Sequence, residues 1–273
     1  MARGGRSPLF ARFAIASRLL DSIPKSERVY NLFEAAFALL KRVAYRDEYV
    51  YKAALTQKIL LARHSLRTAS MLTEFRVGLR KADLVILNGT STAYEVKSER
   101  DSLTRLERQV AAYAEVFSSV YVIAAEDHID AVIRLVPKEV GIMRLNERYR
   151  ISTLREAADQ PERTSPSSIF DSIRTEEARI VLQLNGVPIP PVPNTMLRSA
   201  LRPLFAALEP RKAHEGMIHA LKKTRNLLPL SELVANLPSS LHTAALSVPL
   251  RKVDRARLVA AVCTRLEDAV AWG

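Results

Sequence analysis

Two acidic residues and a lysine stand on two apolar segments that flank a turn. Asp83 lies near the start of the apolar run 82–87, and Glu95 and Lys97 lie in the next run, 92–97. Side chains two residues apart on a strand share a face, so Glu95 and Lys97 point to the same side. Two carboxylates that come close can share a hard divalent cation, and a neighbouring ammonium can orient water or neutralise a phosphate. The pattern therefore indicates metal-assisted hydrolysis of a phosphodiester.

The register of the hairpin between these runs decides whether Asp83 joins the other two side chains. Its Asn-Gly dipeptide is a strong turn signal. A two-residue turn would place Asp83 on the opposite face of the sheet. A three-residue loop over 88–90 (Asn-Gly-Thr) would instead pair Leu87 with Ser91 and set Asp83 opposite Glu95. The chemistry therefore predicts an odd-numbered loop or a compensating bulge.

Three further residues belong to this interpretation. Glu74, on the preceding predicted strand, is a candidate outer ligand or second-metal ligand, and Gln109 and Tyr113 share a face of the helix that follows. This helix face could hydrogen-bond phosphate oxygens. Each residue alone has a simpler explanation, as a turn aspartate, a surface Glu-Lys pair, a solvated strand glutamate or a core tyrosine. Their conjunction is much less expected by chance.

Apolar periodicity predicts an α/β chain around these residues. The predicted strands cover residues 71–77, 82–87, 92–97, 120–124 and 140–145. The predicted helices cover residues 27–43 with Ser26 as N-cap, 47–63, a stretch capped by Asp101, and 129–135. The third strand, the helix after it and the fourth strand form a right-handed βαβ unit.

Composition limits the partners that fit this chain. A net charge of +12 over 273 residues favours a polyanion, because each neutralised phosphate releases condensed counterions. A membrane surface would fit the charge nearly as well, but no apolar run approaches the length needed to cross a bilayer. The single cysteine, Cys263, excludes an internal disulfide and a cysteine-based zinc cluster. We expect a cytoplasmic protein that binds nucleic acid and no membrane.

Asp83, the triplet Glu95-Val96-Lys97 and the Gln109-x-x-x-Tyr113 spacing resemble the motifs of the PD-(D/E)XK nuclease superfamily. Restriction endonucleases, archaeal Holliday-junction resolvases and RecB-type exonucleases belong to it, and the Gln-x-x-x-Tyr spacing is that of the RecB-like branch. Residues 71–145 are also similar to a bacterial family within the superfamily. Ala82 stands where the superfamily motif has proline.

The resemblance implies a restriction-endonuclease-like αβββαβ core with a mixed sheet, and Mg²⁺- or Mn²⁺-dependent hydrolysis of DNA, with RNA left open. The implied metal ligands are Asp83, Glu95 and Val96, with Lys97 orienting the attacking water and Glu74 as a further catalytic acid. The residues expected to contact nucleic acid are Gln109, Tyr113, Arg76, Lys81 and Arg105. Two rival hypotheses are a non-catalytic nucleic-acid-binding protein that keeps the fold as a scaffold, and a protein–protein module.

Composition and pattern also predict four segments. Residues 1–45 are a basic N-terminal arm and helix, and residues 46–155 are the nuclease-like domain. Residues 156–193, which include QPERTSPSS and VPIPPVP, are a connector. Residues 194–273 are an all-helical C-terminal domain, through which a homodimer or a protein complex could form.

Overall fold

A computed structural model of the protein describes residues 1–272, which divide into two compact units. One unit combines Met1–Gln57 with the described residues from Leu228 onward. The other is the continuous segment Lys58–Leu227. All the candidate site residues belong to this continuous unit, which we call the sheet unit; the other is the helical unit.

The helices fall into three groups along the chain. The helical unit begins with α1 (Pro8–Ala16), α2 (Val29–Leu40) and α3 (Glu48–Leu55), and a π-helix, Thr56–Leu61, follows α3. The sheet unit contains α4 (Leu106–Ala114), α5 (Ile129–Leu135), α6 (Pro166–Ser172), α7 (Thr175–Leu184), α8 (Asn194–Ala206) and α9 (Pro210–Thr224). The helical unit continues with α10 (Ser231–Ala235), α11 (His242–Ser247), α12 (Lys252–Cys263) and α13 (Leu266–Ala269).

The strands of the sheet unit form a mixed sheet that has six strands within residues 1–272, so the α/β prediction is confirmed. They are β1 (Ser70–Val77), β2 (Arg80–Leu87), β3 (Ser91–Lys97), β4 (Ser119–Ala124), β5 (Gly141–Leu145) and β6 (Ile151–Arg155). Their spatial order is their chain order, with β1–β2–β3 antiparallel, β3–β4–β5 parallel and β6 antiparallel to β5. The sequence did not predict β6.

A single apolar core joins one face of this sheet to the helices. Val85 and Val122 from the strands belong to the same buried cluster as Tyr113 from α4, Phe205 from α8 and Met217 from α9. Successive side chains of a regular strand point to opposite faces of the sheet, so about every second residue of a strand reaches the helices on this face. The candidate site therefore rests on a rigid, buried support.

The division of the chain differs from the predicted segments. The predicted connector contains α6 and α7, and α8 and α9 bury their apolar faces in the sheet core rather than in a separate helical domain. Only the part from Leu228 onward joins the helical unit, together with α1–α3. Helical periodicity identifies the buried stripe of a helix but not the surface that covers it.

The helical unit is held together by residues from both parts of its chain. Phe10 contacts Phe33 and Trp272, with ring centroids 5.7 Å apart in each pair. Ser26 is not the N-cap of α2, because it lies in a turn and the cap is Arg28. The backbone of Arg28 is extended and bridges Arg265, with Val29 N–H donating to Thr264 O and Leu266 N–H donating to Glu27 O. Among residues 1–272, no helix is both long enough and apolar enough to span a bilayer.

Candidate active site

The β2–β3 hairpin has the odd-numbered loop that the chemistry requires. Leu87 pairs with Ser91 across residues 88–90, which confirms the predicted register. The ladder runs as far as Leu84 opposite Tyr94, and just beyond it the Asp83 side chain meets the backbone of β3 at Val96. The charge of Asp83 acts on the Tyr113 hydroxyl, which also bonds to Glu95, so the two carboxylates lie on the same side of the sheet.

The main chain of β3 holds the Asp83 carboxylate in place. The N–H of Val96 donates a hydrogen bond of 2.7 Å to Asp83 Oδ2. Val96 was expected among the metal ligands. The contact it makes in the site is this N–H group, which is a hydrogen-bond donor to Asp83 and not a metal ligand. An N–H donor favours the charged form of a carboxylate.

Glu95 and Lys97 form a buried ion pair on β3. Lys97 Nζ lies 2.8 Å from Glu95 Oε1, and the two residues are only 5% and 2% exposed. Burial raises the pKa of Glu95. The charge of Lys97 and the hydrogen bonds that Glu95 accepts oppose this shift. A carboxylate and an ammonium in this setting compensate each other, since either alone would be costly to bury.

Helix α4 completes the cluster with two polar side chains. Gln109 Nε2 donates to Glu95 Oε1 at 2.5 Å, and Gln109 Oε1 accepts from Lys97 Nζ at 3.1 Å. The Tyr113 hydroxyl lies 2.9 Å from Glu95 Oε2 and 2.6 Å from the carbonyl oxygen of Lys81. Burial, and then the charge of Glu95, raises the pKa of Tyr113, so its hydroxyl stays protonated.

This placement differs from the expectation that Gln109 and Tyr113 contact nucleic acid. Tyr113 is fully buried and bonds to Glu95, so it positions the carboxylate rather than the substrate. Gln109 is half-buried and bridges Glu95 and Lys97. Asp101 also differs from its expected role, since it accepts from the N–H and hydroxyl of Ser98 and closes a turn ahead of α4.

Glu74 stands beside Asp83 on the neighbouring strand. Carboxylate oxygens of Glu74 and Asp83 lie within 4.8 Å of each other, and Lys81 Nζ is 3.8 Å from Glu74 Oε2. Glu74 has a left-handed φ of 53°, which is uncommon for a residue with a side chain. The irregularity breaks the alternation of β1, since Leu72 and Phe75 both enter the sheet core. Glu74 and Asp83 thus lie side by side on β1 and β2, and the next strand, β3, carries Glu95.

The expected basic residues lie on the surface of the sheet unit. Arg76 and Lys81 are exposed and face each other as a β1–β2 pair. Arg105 is exposed and is the residue that precedes α4. All three are accessible to a polyanion.

Replacing Tyr113 with phenylalanine tests its positioning role. The hydroxyl joins Glu95 to the Lys81 carbonyl, so its loss leaves buried acceptors with one donor fewer. We expect the free energy of unfolding to fall by about 2 kcal/mol. Urea denaturation measures this effect. Tyr121→Phe is the control, because its hydroxyl bonds to the exposed Glu156; equal losses in the two variants would contradict the prediction.

Sequence reasoning did not find a second buried polar network, at the other end of β3. His214 Nε2 lies 2.7 Å from Ser91 Oγ, and Ser118 N–H donates to that same oxygen. Thr90 links Ser118 Oγ to Asp159 Oδ1. No local spacing signals this network, because Ser91 and His214 are 123 residues apart along the chain. It ties α9 to the sheet.

The network makes stability depend on pH in the mildly acidic range. Burial lowers the pKa of His214 to about 4, so the folded state favours neutral imidazole. The stabilisation is complete above the ordinary pKa of about 6.5 and is lost as the pH falls toward 4. We expect the free energy of unfolding to drop by about 2 kcal/mol between pH 7 and pH 5. Urea titrations at both pH values measure it.

The control for this prediction lies on the same helix. His219→Gln replaces an exposed histidine and should keep the full pH dependence, whereas His214→Gln should remove it. A drop of the same size in both variants would show that another group is responsible.

The fold and the cluster define an α/β protein with acidic residues on three adjacent strands and a buried lysine beside one of them. Residues 41–228 match the family model described as Bacteriophage P4 protein cII, and the chain belongs to this family. Protein cII of Enterobacteria phage P4 is 26% identical over 195 residues, which cover 68% of this chain and 72% of that protein.

One solved structure is weakly similar to the protein. It is the SPO1766 protein of unknown function from Silicibacter pomeroyi, 19% identical, covering 53% of this chain and 90% of that one. The TM-score is 0.32, and a likeness this weak supports no inference about function or fold.

Proposed function

We propose that the protein is a metal-dependent nuclease of the PD-(D/E)XK type that hydrolyses phosphodiester bonds of DNA in the cytoplasm. The observation that carries the proposal is the convergence of Asp83, Glu95 and Lys97 across the β2–β3 hairpin. Gln109 and Tyr113 both bind the Glu95 carboxylate, so five residues singled out by spacing meet in one cluster. Chance placement of unrelated surface residues would not join them.

The order of elements supports the proposed restriction-endonuclease-like core. Three antiparallel strands, β1–β3, are followed by α4 and then by β4, which is parallel to β3. This is the βββαβ part of the expected core. It brings the end of β3 next to α4, where the cluster forms.

The donor set fits a hard divalent cation, Mg²⁺ or Mn²⁺. Asp83 and Glu74 offer carboxylate oxygens within 4.8 Å of each other, and Glu95 on the adjacent strand β3 offers a further carboxylate; such oxygens are the ligands that these ions prefer. Glu95 Oε1 accepts from Lys97 and Gln109, and Oε2 is approached only by the Tyr113 hydroxyl, whose one proton is shared with the Lys81 carbonyl oxygen; Oε2 therefore keeps at least one acceptor position. When bound, such an ion supplies positive charge at the scissile phosphate and a more acidic water.

The chain's own residues divide the remaining work. Lys97 carries a positive charge next to Glu95, where it can orient the attacking water and neutralise a phosphate oxygen. Gln109 fixes the position of both charged groups, and Tyr113 fixes Glu95. The exposed cations Arg76, Lys81 and Arg105 are available to the phosphate backbone.

A substrate panel tests the proposal. The full chain is incubated with linear, nicked and single-stranded DNA and with RNA, in Mg²⁺, Mn²⁺ or EDTA. We expect divalent-dependent cutting that Asp83→Asn reduces at least about 100-fold, while Asp130→Asn, an exposed aspartate of α5, retains wild-type rates. In calorimetric titrations, Asp83→Asn should bind Mn²⁺ more weakly than the wild type, and Asp130→Asn should bind it as the wild type does. Cutting that persists in EDTA, or in the Asp83 variant, refutes the assignment.

One observation favours a second candidate, a nucleic-acid-binding protein without catalysis. Lys97 and Glu95 neutralise each other at 2.8 Å inside the protein, and such a closed pair also suits a purely structural role. In this case the wild type binds DNA in the same panel but cuts none of the substrates with either metal ion. Absence of both binding and cutting would refute both candidates.

A further inference from the structure

The β1–β2 hairpin ends in a projecting apolar side chain. Val77 pairs with Arg80, so Gly78 and Leu79 form a two-residue turn. Gly78 has a φ of 57°, and a glycine with positive φ at the first central position is typical of a type II′ turn, which fits the twist of the strands. Leu79 is 94% exposed, the highest value among the large hydrophobic side chains of residues 1–272. The tip is therefore held by a tight turn and points into solvent.

Positive charge surrounds this leucine. Arg76, Arg80 and Lys81 lie within three residues of Leu79, and no acidic residue occurs from 75 to 82. Arg76 Nε donates to the Gly78 carbonyl oxygen at 3.0 Å, which keeps this guanidinium at the turn. A single exposed leucine needs no explanation, but one at the tip of a cationic hairpin combines two features that suit a polyanion with apolar layers. Stacked bases between phosphate strands form such a partner.

We infer that Leu79 is a wedge that enters between base pairs of duplex nucleic acid while the hairpin cations hold the flanking phosphates. Apolar side chains that unstack a base step and kink the duplex act in this way in minor-groove-binding proteins. The inference rests on the proposed function for the nature of the partner, and it adds a distortion of the duplex that the candidate active site does not require.

The geometry of β2 sets the distance between the wedge and the candidate active site. Leu79 precedes Asp83 by four residues, and a strand advances about 3.4 Å per residue, so the two are separated by about 14 Å. Phosphates on one strand are spaced by about 3.4 Å along the duplex axis, so this span is about four base steps. The unstacked step should therefore lie within about four base pairs of the cut.

Binding in EDTA tests the wedge without any cutting. The full chain is added to short DNA duplexes that carry 2-aminopurine at successive positions, and the fluorescence of the analogue reports unstacking. We expect a rise at one position with the wild type and none with Leu79→Ala, which should also bind duplex about tenfold more weakly. Leu154→Ala is the matched control, since Leu154 is an exposed leucine of β6 at the opposite edge of the sheet.

Salt dependence separates the leucine from the cations. Replacing Arg76, Arg80 and Lys81 by glutamine should reduce the slope of log affinity against log salt by about 3. Leu79→Ala should leave that slope unchanged. If both variants change the slope equally, Leu79 acts through its neighbours and the wedge is refuted.

The outcomes keep the wedge and the nuclease apart. Unstacking by a protein that never cuts supports the wedge and refutes the nuclease. Cutting with wild-type fluorescence in the Leu79 variant refutes the wedge and leaves the nuclease. Loss of binding to anionic lipid vesicles, but not to duplex, on Leu79→Ala would assign the hairpin to a membrane surface and refute the wedge.

Discussion

Replacing Lys97 with methionine is expected to reduce cutting at least about 100-fold and to lower the free energy of unfolding by about 3 kcal/mol. The rate falls because the ammonium next to the attacking water is lost. The stability falls because Glu95, 2% exposed, would lose the ammonium that compensates its burial, so its carboxylate would either stay charged at a cost or have to take up a proton. Cleavage rates in Mg²⁺ and urea denaturation at pH 7 measure the two effects.

A second substitution separates these effects. Glu95→Gln added to Lys97→Met removes the unpaired charge, so the double variant should regain most of the lost stability and none of the activity. Lys138→Met, at an exposed lysine, should change neither quantity. Cutting by the double variant at wild-type rate would refute a catalytic role for Lys97.

Replacing Glu177 with alanine is expected to lower the free energy of unfolding by about 3 kcal/mol. Glu177, 1% exposed, binds Arg225 through both carboxylate oxygens, at 2.7 and 2.8 Å, and accepts from the N–H of Arg174 and the hydroxyl of Thr224. These bonds join the start of α7 to the end of α9. The alanine variant leaves a partly buried guanidinium and an N–H without their acceptor. Urea denaturation at pH 7 measures the loss.

The same carboxylate gives the effect a defined pH window. Burial alone would raise the pKa of Glu177, but the bonds from Arg225 and Arg174 outweigh it and hold the pKa below its ordinary value of 4.5. This stabilisation is therefore present above pH 4.5 and is lost as the pH falls through the lower folded value. Glu177→Gln should flatten the stability curve below pH 4.5. Glu176→Gln, at an exposed neighbour, should not, and identical curves for the two variants would contradict this assignment.

The hairpin of the candidate site could be predicted from sequence because its information is local. Strand periodicity and the Asn-Gly signal located the hairpin but left its register open, and the requirement that Asp83 and Glu95 share a face selected the observed pairing of Leu87 with Ser91. Spacing likewise placed Gln109 and Tyr113 on one face of α4. It could not tell whether that face turns toward solvent or toward Glu95, which is decided by tertiary packing.

The boundaries of the two units could not be predicted from the sequence, because they too are decided by tertiary packing. The apolar stripes of α8 and α9 are clear in the sequence, but a stripe fits any apolar surface of suitable shape. Their packing on the sheet, and the grouping of α1–α3 with α10–α13, depend on contacts between distant parts of the chain. The prediction of Ser26 as the N-cap of α2 was wrong, because hydrogen bonds to Thr264 and from Leu266 hold the backbone extended just before Val29.

The helical unit is built from two segments that are far apart in the chain, so its assembly depends on the order of synthesis. Its first 57 residues leave the ribosome early, yet their partners from Leu228 onward follow only after the whole of Lys58–Leu227 has been translated. At ~5–20 residues per second, the intervening 170 residues take roughly 8–34 seconds to synthesise. Throughout that interval the apolar faces of α1 and α2 have no partner from the later segment. The helical unit can therefore be completed only after the sheet unit has been synthesised.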